Sequence, residues 1–260
     1  MPELIEVERY RVLAEGAVGR TVSAVGAPDS WFLKGATTAA ALDAVLVGNR
    51  ITDARRIGKL LLLDVDGGPV VGVRFGMTGT LLLDDADAVG PLLYAPTRRD
   101  PAWERWSLAF ADGGRLVVHD PRRLGGVTLD PDLSGIGPDA TVIGVAELAA
   151  ALDGSSAPLK ARLLDQSRIA GIGNLIGDEL LWRAALSPVR PARSLSNVEV
   201  RRLHRNLVRT LAELTERGGC HLGDVTAERH PGGRCPRDGG PLTRTTVGGR
   251  TSWWCPAHQV

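Results

Sequence analysis

The sequence predicts an α+β protein of more than one domain. A β-sandwich with a leading helix comes first, then a helical region, then a small cysteine-bearing hairpin. Three observations carry this. Short apolar runs broken by Gly, Asp and Asn fill the first half. The texture changes after Asp130, where Pro131, Gly135, Gly137 and Pro138 form a linker-like patch. Helical periodicity then persists until Gly218, beyond which Gly, Pro, Cys and Trp dominate. The expected domains are residues 1–130, 140–217 and 225–260.

Each element has its own signal. Leu4, Val7 and Leu13 sit at helical spacing among charges, which predicts a short helix within residues 3–15. Strands are expected at Thr21–Val25, Leu60–Val65, Val70–Phe75, Leu81–Leu83, Leu108–Phe110 and Leu116–Val118. Asp66-Gly67-Gly68 and Asp112-Gly113-Gly114 are hairpin turns, because paired glycines supply the positive φ such turns need. Helices are expected at Val145–Leu152, Leu159–Gln166, Leu175–Ala184 and Asn197–Arg217. No internal repeat or low-complexity tract interrupts them.

The chain has 260 residues, 43% hydrophobic and 23% charged, the profile of an ordinary globular protein rather than a disordered one. No apolar run approaches the roughly 18 residues of a membrane span. The opening apolar block is interrupted by Glu3, Glu6 and Glu8, which excludes a secretory signal. A cytoplasmic monomer without a small-molecule cofactor is expected. The net charge of +1 hides an asymmetry. From Arg183 to the end there are 13 arginines, no lysine and 6 carboxylates. Such a basic half suits a nucleic-acid face, and equally an Arg-rich solvated surface.

Four constellations can carry chemistry. If Met1 is removed, Pro2 presents a secondary amine with a pKa near 8, roughly that of other α-amino groups. Such an amine attacks a sugar or carbonyl carbon and forms an iminium electron sink. Glu3 can shuttle protons beside it, and Glu6 shares its helical face. The plain alternative is a helix start with acids against the dipole. Second, Arg55-Arg56-Ile57-Gly58-Lys59 puts a basic cluster at a strand entrance, where Lys59 would protonate a leaving group or contact phosphate, or simply face water.

Third, Gly171-Ile172-Gly173-Asn174 precedes a helix, so its backbone N–H groups and the dipole suit a phosphate, with Asn174 as helix cap. Fourth, Cys235-x₂-Asp238 and Cys255-x₂-His258 are paired knuckles that suit one tetrahedral zinc. Aspartate is the less common ligand there. His230, five residues before Cys235, is the alternative to Asp238. Cys220 and His221 fall outside this spacing.

Together these segments, in this order, resemble the bacterial formamidopyrimidine-DNA glycosylase and endonuclease VIII family over essentially the whole chain. The opening Pro2–Glu8 is similar to the family's start, with Ile5 in place of its usual proline. Arg74-Phe75-Gly76-Met77-Thr78-Gly79 and Asp120-Pro121-Arg122-Arg123-Leu124-Gly125 resemble two further motifs. Asp165 through Glu179 resembles the helix–two-turn–helix, and the knuckles resemble the zinc finger, with Arg250 at its DNA-contacting arginine.

The resemblance implies a bifunctional enzyme of base excision repair acting on damaged double-stranded DNA. Pro2 would attack C1′, with Glu3 as proton shuttle and Lys59 assisting, and the abasic site would be cleaved by β,δ-elimination. Lys59, Asn174 and Arg250 would hold phosphates beside the Gly171–Gly173 turn. Met77, Arg122 and Leu124 would fill the gap left by the flipped nucleotide. One structural zinc is implied. Leu124 replaces the usual phenylalanine wedge of the formamidopyrimidine branch, Arg74 replaces its histidine, and Gly218–Arg234 is shorter than its lesion-closing loop. These departures lean toward endonuclease VIII and oxidised pyrimidines. The alternatives are formamidopyrimidine or 8-oxoguanine specificity, or a non-catalytic damaged-DNA binder on the same scaffold. Intact Pro2, Glu3 and Lys59 argue against the latter. An unreactive zinc-ribbon protein would leave the N-terminal motif unexplained.

Overall fold

The computed structural model describes residues 2–90, 92, 96 and 98–260. It divides into two compact units, Met1–Ser134 and Gly135–Val260. In the first, α1 (Leu4–Ala14) precedes β1 (Val22–Gly26), α2 (Ala39–Leu46), β2 (Ile51–Ile57), β3 (Leu60–Val65), β4 (Val70–Arg74), β5 (Thr80–Leu83), β6 (Ala86–Asp87), β7 (Glu104–Phe110), β8 (Arg115–His119) and β9 (Gly126–Leu129). The strands form two antiparallel sheets, ordered β1-β7-β8-β5-β6 and β2-β3-β4-β9.

One core lies between them. Trp106, Leu108, Leu116, Val118 and Leu81 come from one sheet, and Leu61, Leu63, Val71 and Val73 from the other. Alternation produces this, since residues two apart share a face of the pleat. Val7, Tyr10 and Ala14 of α1 complete the same core, which seats the N-terminus against β2, β3 and β5. Burial lifts the Tyr10 hydroxyl well above its ordinary pKa.

The expected sandwich with its leading helix is therefore present, and both glycine turns join neighbouring antiparallel strands, β3–β4 and β7–β8. Four elements went unread, one of them the two-residue β6. α2 is alanine-rich and short. The mixed pattern of β2, Ile-Thr-Asp-Ala-Arg-Arg-Ile, buries only Ile51 and Ala54 fully. β9 is four residues long and starts at Gly126.

In the second unit, α3 (Val145–Leu152), α4 (Leu159–Leu163), α5 (Asn174–Ala184) and α6 (Asn197–Arg217) are followed by the hairpin β10 (Thr243–Val247) and β11 (Arg250–Trp254). α4 ends three residues before the expected Gln166, because the chain turns there to form the Gln166–Gly171 loop. α6 begins with a capping box, in which the Ser196 and Glu199 side chains bond each other's backbone N–H. It stops at Gly218, whose φ of 106° is left-handed. Among the described residues no helix is long and apolar enough to cross a membrane.

A buried polar cluster fastens the hairpin to the helices. Asp178 of α5 lies 2.6 Å from Lys160 Nζ and 2.9 Å from Arg229 Nε. It also accepts hydrogen bonds from Ser252 Oγ at 2.7 Å and the Trp253 N–H at 3.3 Å. Lys160 Nζ donates to the Thr251 carbonyl at 3.1 Å. Lys160 and Asp178 are almost wholly inaccessible, so neither charge is tolerable without the other. Lys160→Met should lower the stability of this unit by about 3 kcal/mol, the lower end for breaking a buried pair because Arg229 remains. Denaturant unfolding followed by helical circular dichroism measures it. A midpoint equal to wild type would show that the lysine is dispensable.

Candidate active site and metal centre

Pro2 is buried, and Glu3 is fully buried at the N-cap of α1. The Glu3 backbone N–H donates to Glu6 Oε2 at 2.8 Å. Glu6 is thus fixed in the first turn, where the helix dipole favours a carboxylate. Met1, whose removal would free the Pro2 amine, lies outside the described residues. Lys59 occupies the two-residue turn between β2 and β3, since Ile57 pairs with Leu60. Gly58 supplies the positive φ of 56° at its first position. The expected basic cluster is largely spent. Arg56 Nε lies 2.8 Å from Glu8 of α1, and Arg55 pairs with Asp64. The Glu8–Arg56 contact ties the helix that begins at Glu3 to the strand that leads into Lys59.

The two loops carrying Met77, Arg122 and Leu124 are joined by one carboxylate that sequence reasoning missed. Asp120 is fully buried. Its Oδ1 accepts from Thr78 Oγ1 at 2.6 Å and from the Arg122 N–H at 3.2 Å, while Oδ2 accepts from the Gly125 N–H at 2.8 Å. The loops touch backbone to backbone. Gly76 has a φ of +58°, and a Cβ there would lie 2.5 Å from the Leu124 carbonyl carbon. Met77 is half-buried, Arg122 is exposed, and Leu124 is 51% exposed. Exposed leucine on a clamped loop is the form an apolar wedge requires.

In the second unit, Gly171 has a φ of 108° and its N–H donates to Gln166 Oε1 at 3.0 Å. Gln166 Nε2 donates to the Leu164 and Ile172 carbonyls at 2.8 and 2.9 Å. Asn174 is not the cap. Gly173 holds that position, and Asn174 is the first helical residue. Its Oδ1 is buried and lacks a hydrogen-bond partner among the described residues. Arg250 is exposed at the start of β11. Val247 pairs with Arg250 across Gly248-Gly249, both at positive φ. A Cβ on Gly248 would lie 2.9 Å from Ala161 Cβ, so the hairpin tip rests on α4.

The knuckles converge. One ligand atom each from Cys235, Asp238, Cys255 and His258 lies within 4.8 Å of every other. Asp238 Oδ2 is 3.1 Å from His258 Nδ1 and 3.2 Å from Cys255 Sγ, and Cys235 Sγ is 3.5 Å from His258 Nδ1. Edges of that length suit a tetrahedral ion with bonds of about 2.0–2.3 Å. His258 Nε2 faces the Trp182 carbonyl at 3.3 Å, which leaves Nδ1 for a metal. Asp238, bonded first by the Gly240 N–H, is held at about 2. Burial pushes the Cys255 thiol up to about 11, a shift that a bound cation would reverse. His230 is excluded. It is exposed, its Nδ1 faces the Pro231 carbonyl at 3.0 Å, and its Nε2 lies 3.9 Å from Glu228. Asp238 takes the place because its own backbone turn, through Gly240, aims it inward.

Residues 1–127 match the family model of the formamidopyrimidine-DNA glycosylase N-terminal domain, and residues 135–225 match that of the formamidopyrimidine-DNA glycosylase H2TH domain. A formamidopyrimidine-DNA glycosylase of Thermus thermophilus is 35% identical over 286 aligned positions, covering 100% of this chain and 98% of the relative. One from Xanthomonas campestris is 33% identical, with 100% of both covered. The crystal structure of the MutM (Fpg) protein of Thermus thermophilus superposes with a TM-score of 0.80 at 34% identity, over 99% of this chain and 98% of that one. Lactococcus lactis Fpg, in complex with abasic-site DNA, superposes with a TM-score of 0.82 at 25% identity, over 99% of both chains. These relatives carry the formamidopyrimidine name, so the leaning toward oxidised pyrimidines drawn from Arg74, Leu124 and Gly218–Arg234 is not upheld. Leu124 still stands exposed on the clamped loop, and Arg74 lies exposed on β4. The chain belongs to the formamidopyrimidine-DNA glycosylase family of enzymes.

Proposed function

We propose that this protein is a bifunctional DNA glycosylase and abasic-site lyase acting on formamidopyrimidine-type and related oxidised purine lesions in duplex DNA. The observation that carries this is a fully buried carboxylate, Glu3, directly after the proline at the chain start. The Pro2 nitrogen, freed of Met1, attacks C1′ of the damaged nucleotide. The C1′–N bond to the base breaks, and the base leaves with that electron pair and a proton. Glu3 moves protons between the sugar and the amine, which contributes about 10²–10⁴-fold in catalysis of this type. The C1′–O4′ bond then opens, its electron pair and a proton going to O4′, and the resulting iminium acidifies C2′. Loss of the C2′ proton expels the 3′ phosphate, and a second elimination expels the 5′ phosphate. Lys59, Asn174 and Arg250 contact backbone phosphates, the Gly171–Gly173 turn supports Asn174, and Met77, Arg122 and Leu124 enter the stack. The relatives' names and the abasic-site DNA bound by the Lactococcus lactis protein support the lesion class and the DNA partner.

We also assign one zinc to Cys235, Asp238, Cys255 and His258, where it would staple a hairpin too small to fold by itself. It takes no part in the reaction at Pro2.

Borohydride reduction on abasic-site duplex tests the nucleophile. A covalent adduct whose proteolytic fragment begins at Pro2 is the expected result, and Glu3→Gln should slow base release by about 10²–10⁴-fold while DNA binding persists. Absence of an adduct, or excision by Glu3→Gln at the wild-type rate, contradicts the mechanism. For the metal, elemental analysis should give one zinc per chain. Asp238→Ala should release it at mild chelator concentration, and His230→Ala should keep it. Retention of zinc by Asp238→Ala would remove the carboxylate from the ligand set.

A further inference from the structure

Trp31 is the one exposed large aromatic among the described residues, at 66%. An exposed tryptophan on a rigid turn offers a large flat face to a partner. Its position is fixed at both ends. It lies in the 3-10 turn Ser30–Phe32, and its N–H donates to Asp29 Oδ1 at 3.1 Å. Its carbonyl accepts from Lys34 Nζ at 2.7 Å. That ammonium stands 4.9 Å from the ring centroid, a cation–π contact.

The turn is locked onto the wedge loop. Asp29 forms two bonds of 2.7 Å with the Arg123 guanidinium, next to Arg122 and Leu124. Arg123 holds the Asp29 carboxyl below its usual range, so Asp29 stays ionised. Phe32 is buried directly beneath Gly125, where a Cβ would lie 3.0 Å from its ring. A Cβ on Gly126 would lie 2.6 Å from Lys34 Cγ. Lys34 N–H donates to the Val127 carbonyl at 2.8 Å. Trp31 thereby carries its ring on a rigid turn, with Lys34 against it, and Asp29 bonds that turn to Arg123, the residue between Arg122 and Leu124.

We propose that Trp31, backed by Lys34, is a second stacking platform, which receives a nucleobase exposed when the duplex opens beside Leu124. This rests on the DNA-glycosylase reading above. Every nucleotide offers a π-face and a phosphate, so a cation-flanked ring on a rigid turn suits it irrespective of sequence. An apolar protein partner would leave Lys34 without counter-charge.

Binding to a duplex with a tetrahydrofuran abasic analogue separates the possibilities. Trp31→Ala should weaken it about tenfold, the scale of one lost base stack, and Trp31→Phe should restore most of the loss. The salt slope should stay unchanged in Trp31→Ala and fall by about one in Lys34→Ala, because only the lysine releases a counterion. In the unmutated chain, acrylamide quenching of exposed tryptophan should drop on DNA binding, and Trp31→Phe should abolish that drop. Affinity within twofold of wild type for a folded Trp31→Ala, or quenching unaffected by DNA, overturns the platform while leaving the glycosylase reading intact. A wild-type chain that binds no abasic duplex overturns both.

Discussion

The first unit depends on a carboxylate with no access to water. Burying Asp120 would be costly without donors, and three meet it: the Thr78 hydroxyl and the Arg122 and Gly125 backbone N–H groups. Its backbone is used as fully. The Asp120 N–H donates to the Trp103 carbonyl at 2.9 Å, and its carbonyl accepts from Arg105 Nε at 2.8 Å. The loop that follows cannot relax away from these bonds, so Arg123 is driven into a φ of +56° that non-glycine residues seldom adopt. What is gained is direction. Met77 and Leu124 leave the same clamp, held by the close approach of Gly76 to the Leu124 backbone. The Trp31 turn is fastened to it through Asp29 and Arg123.

The second unit repeats the device on one helix. Asp178 gathers Lys160, Arg229 and Ser252, while its neighbour Glu179 accepts from Arg183 Nε at 2.7 Å and from the Val225 N–H at 2.9 Å. Two adjacent acids in α5 therefore hold the chain leading into the C-terminal hairpin and the hairpin's own strand β11. The arginine surplus of this half is smaller at the surface than its composition suggests. Arg183 is shared among Glu179, Glu213 and Asp224, and Arg190 is bound by Glu199. Arg190 holds Glu199 at about 2, and Arg209 with Arg183 holds Glu213 at about 2, so the pairs persist throughout the neutral range.

Much of this was legible in the residues. The glycine pairs announced their hairpins, and the span of α6 follows from its periodicity and from the Ser196 and Gly218 signals at its ends. What periodicity cannot show is the tertiary partner of a single acid. Asp120 meets Thr78 from 42 positions away, and Asp178 meets Ser252 from 74. Neither leaves a repeat in the sequence. Spacing put Asp238 in the knuckle with His230 as its alternative, and the Gly240 N–H, which fixes the carboxylate's aim, belongs to backbone geometry. Asn174 lies one residue inside the helix that it was expected to cap, an offset that spacing does not show.

One buried carboxylate thus holds the Leu124 loop in place, and a single exchange probes it. Asp120→Asn keeps the shape but turns an NH₂ toward one of its N–H or O–H donors, leaving a buried bond unmade at a cost of about 1–3 kcal/mol. Single-turnover release of a formamidopyrimidine base by this variant, beside its cleavage of a preformed abasic site, is the direct measurement. Base release should fall about tenfold or more while cleavage of the preformed site falls far less, because only the first needs the nucleotide driven out of the stack. Equal losses in the two reactions, or no loss in base release from a folded variant, would contradict the role given to Asp120.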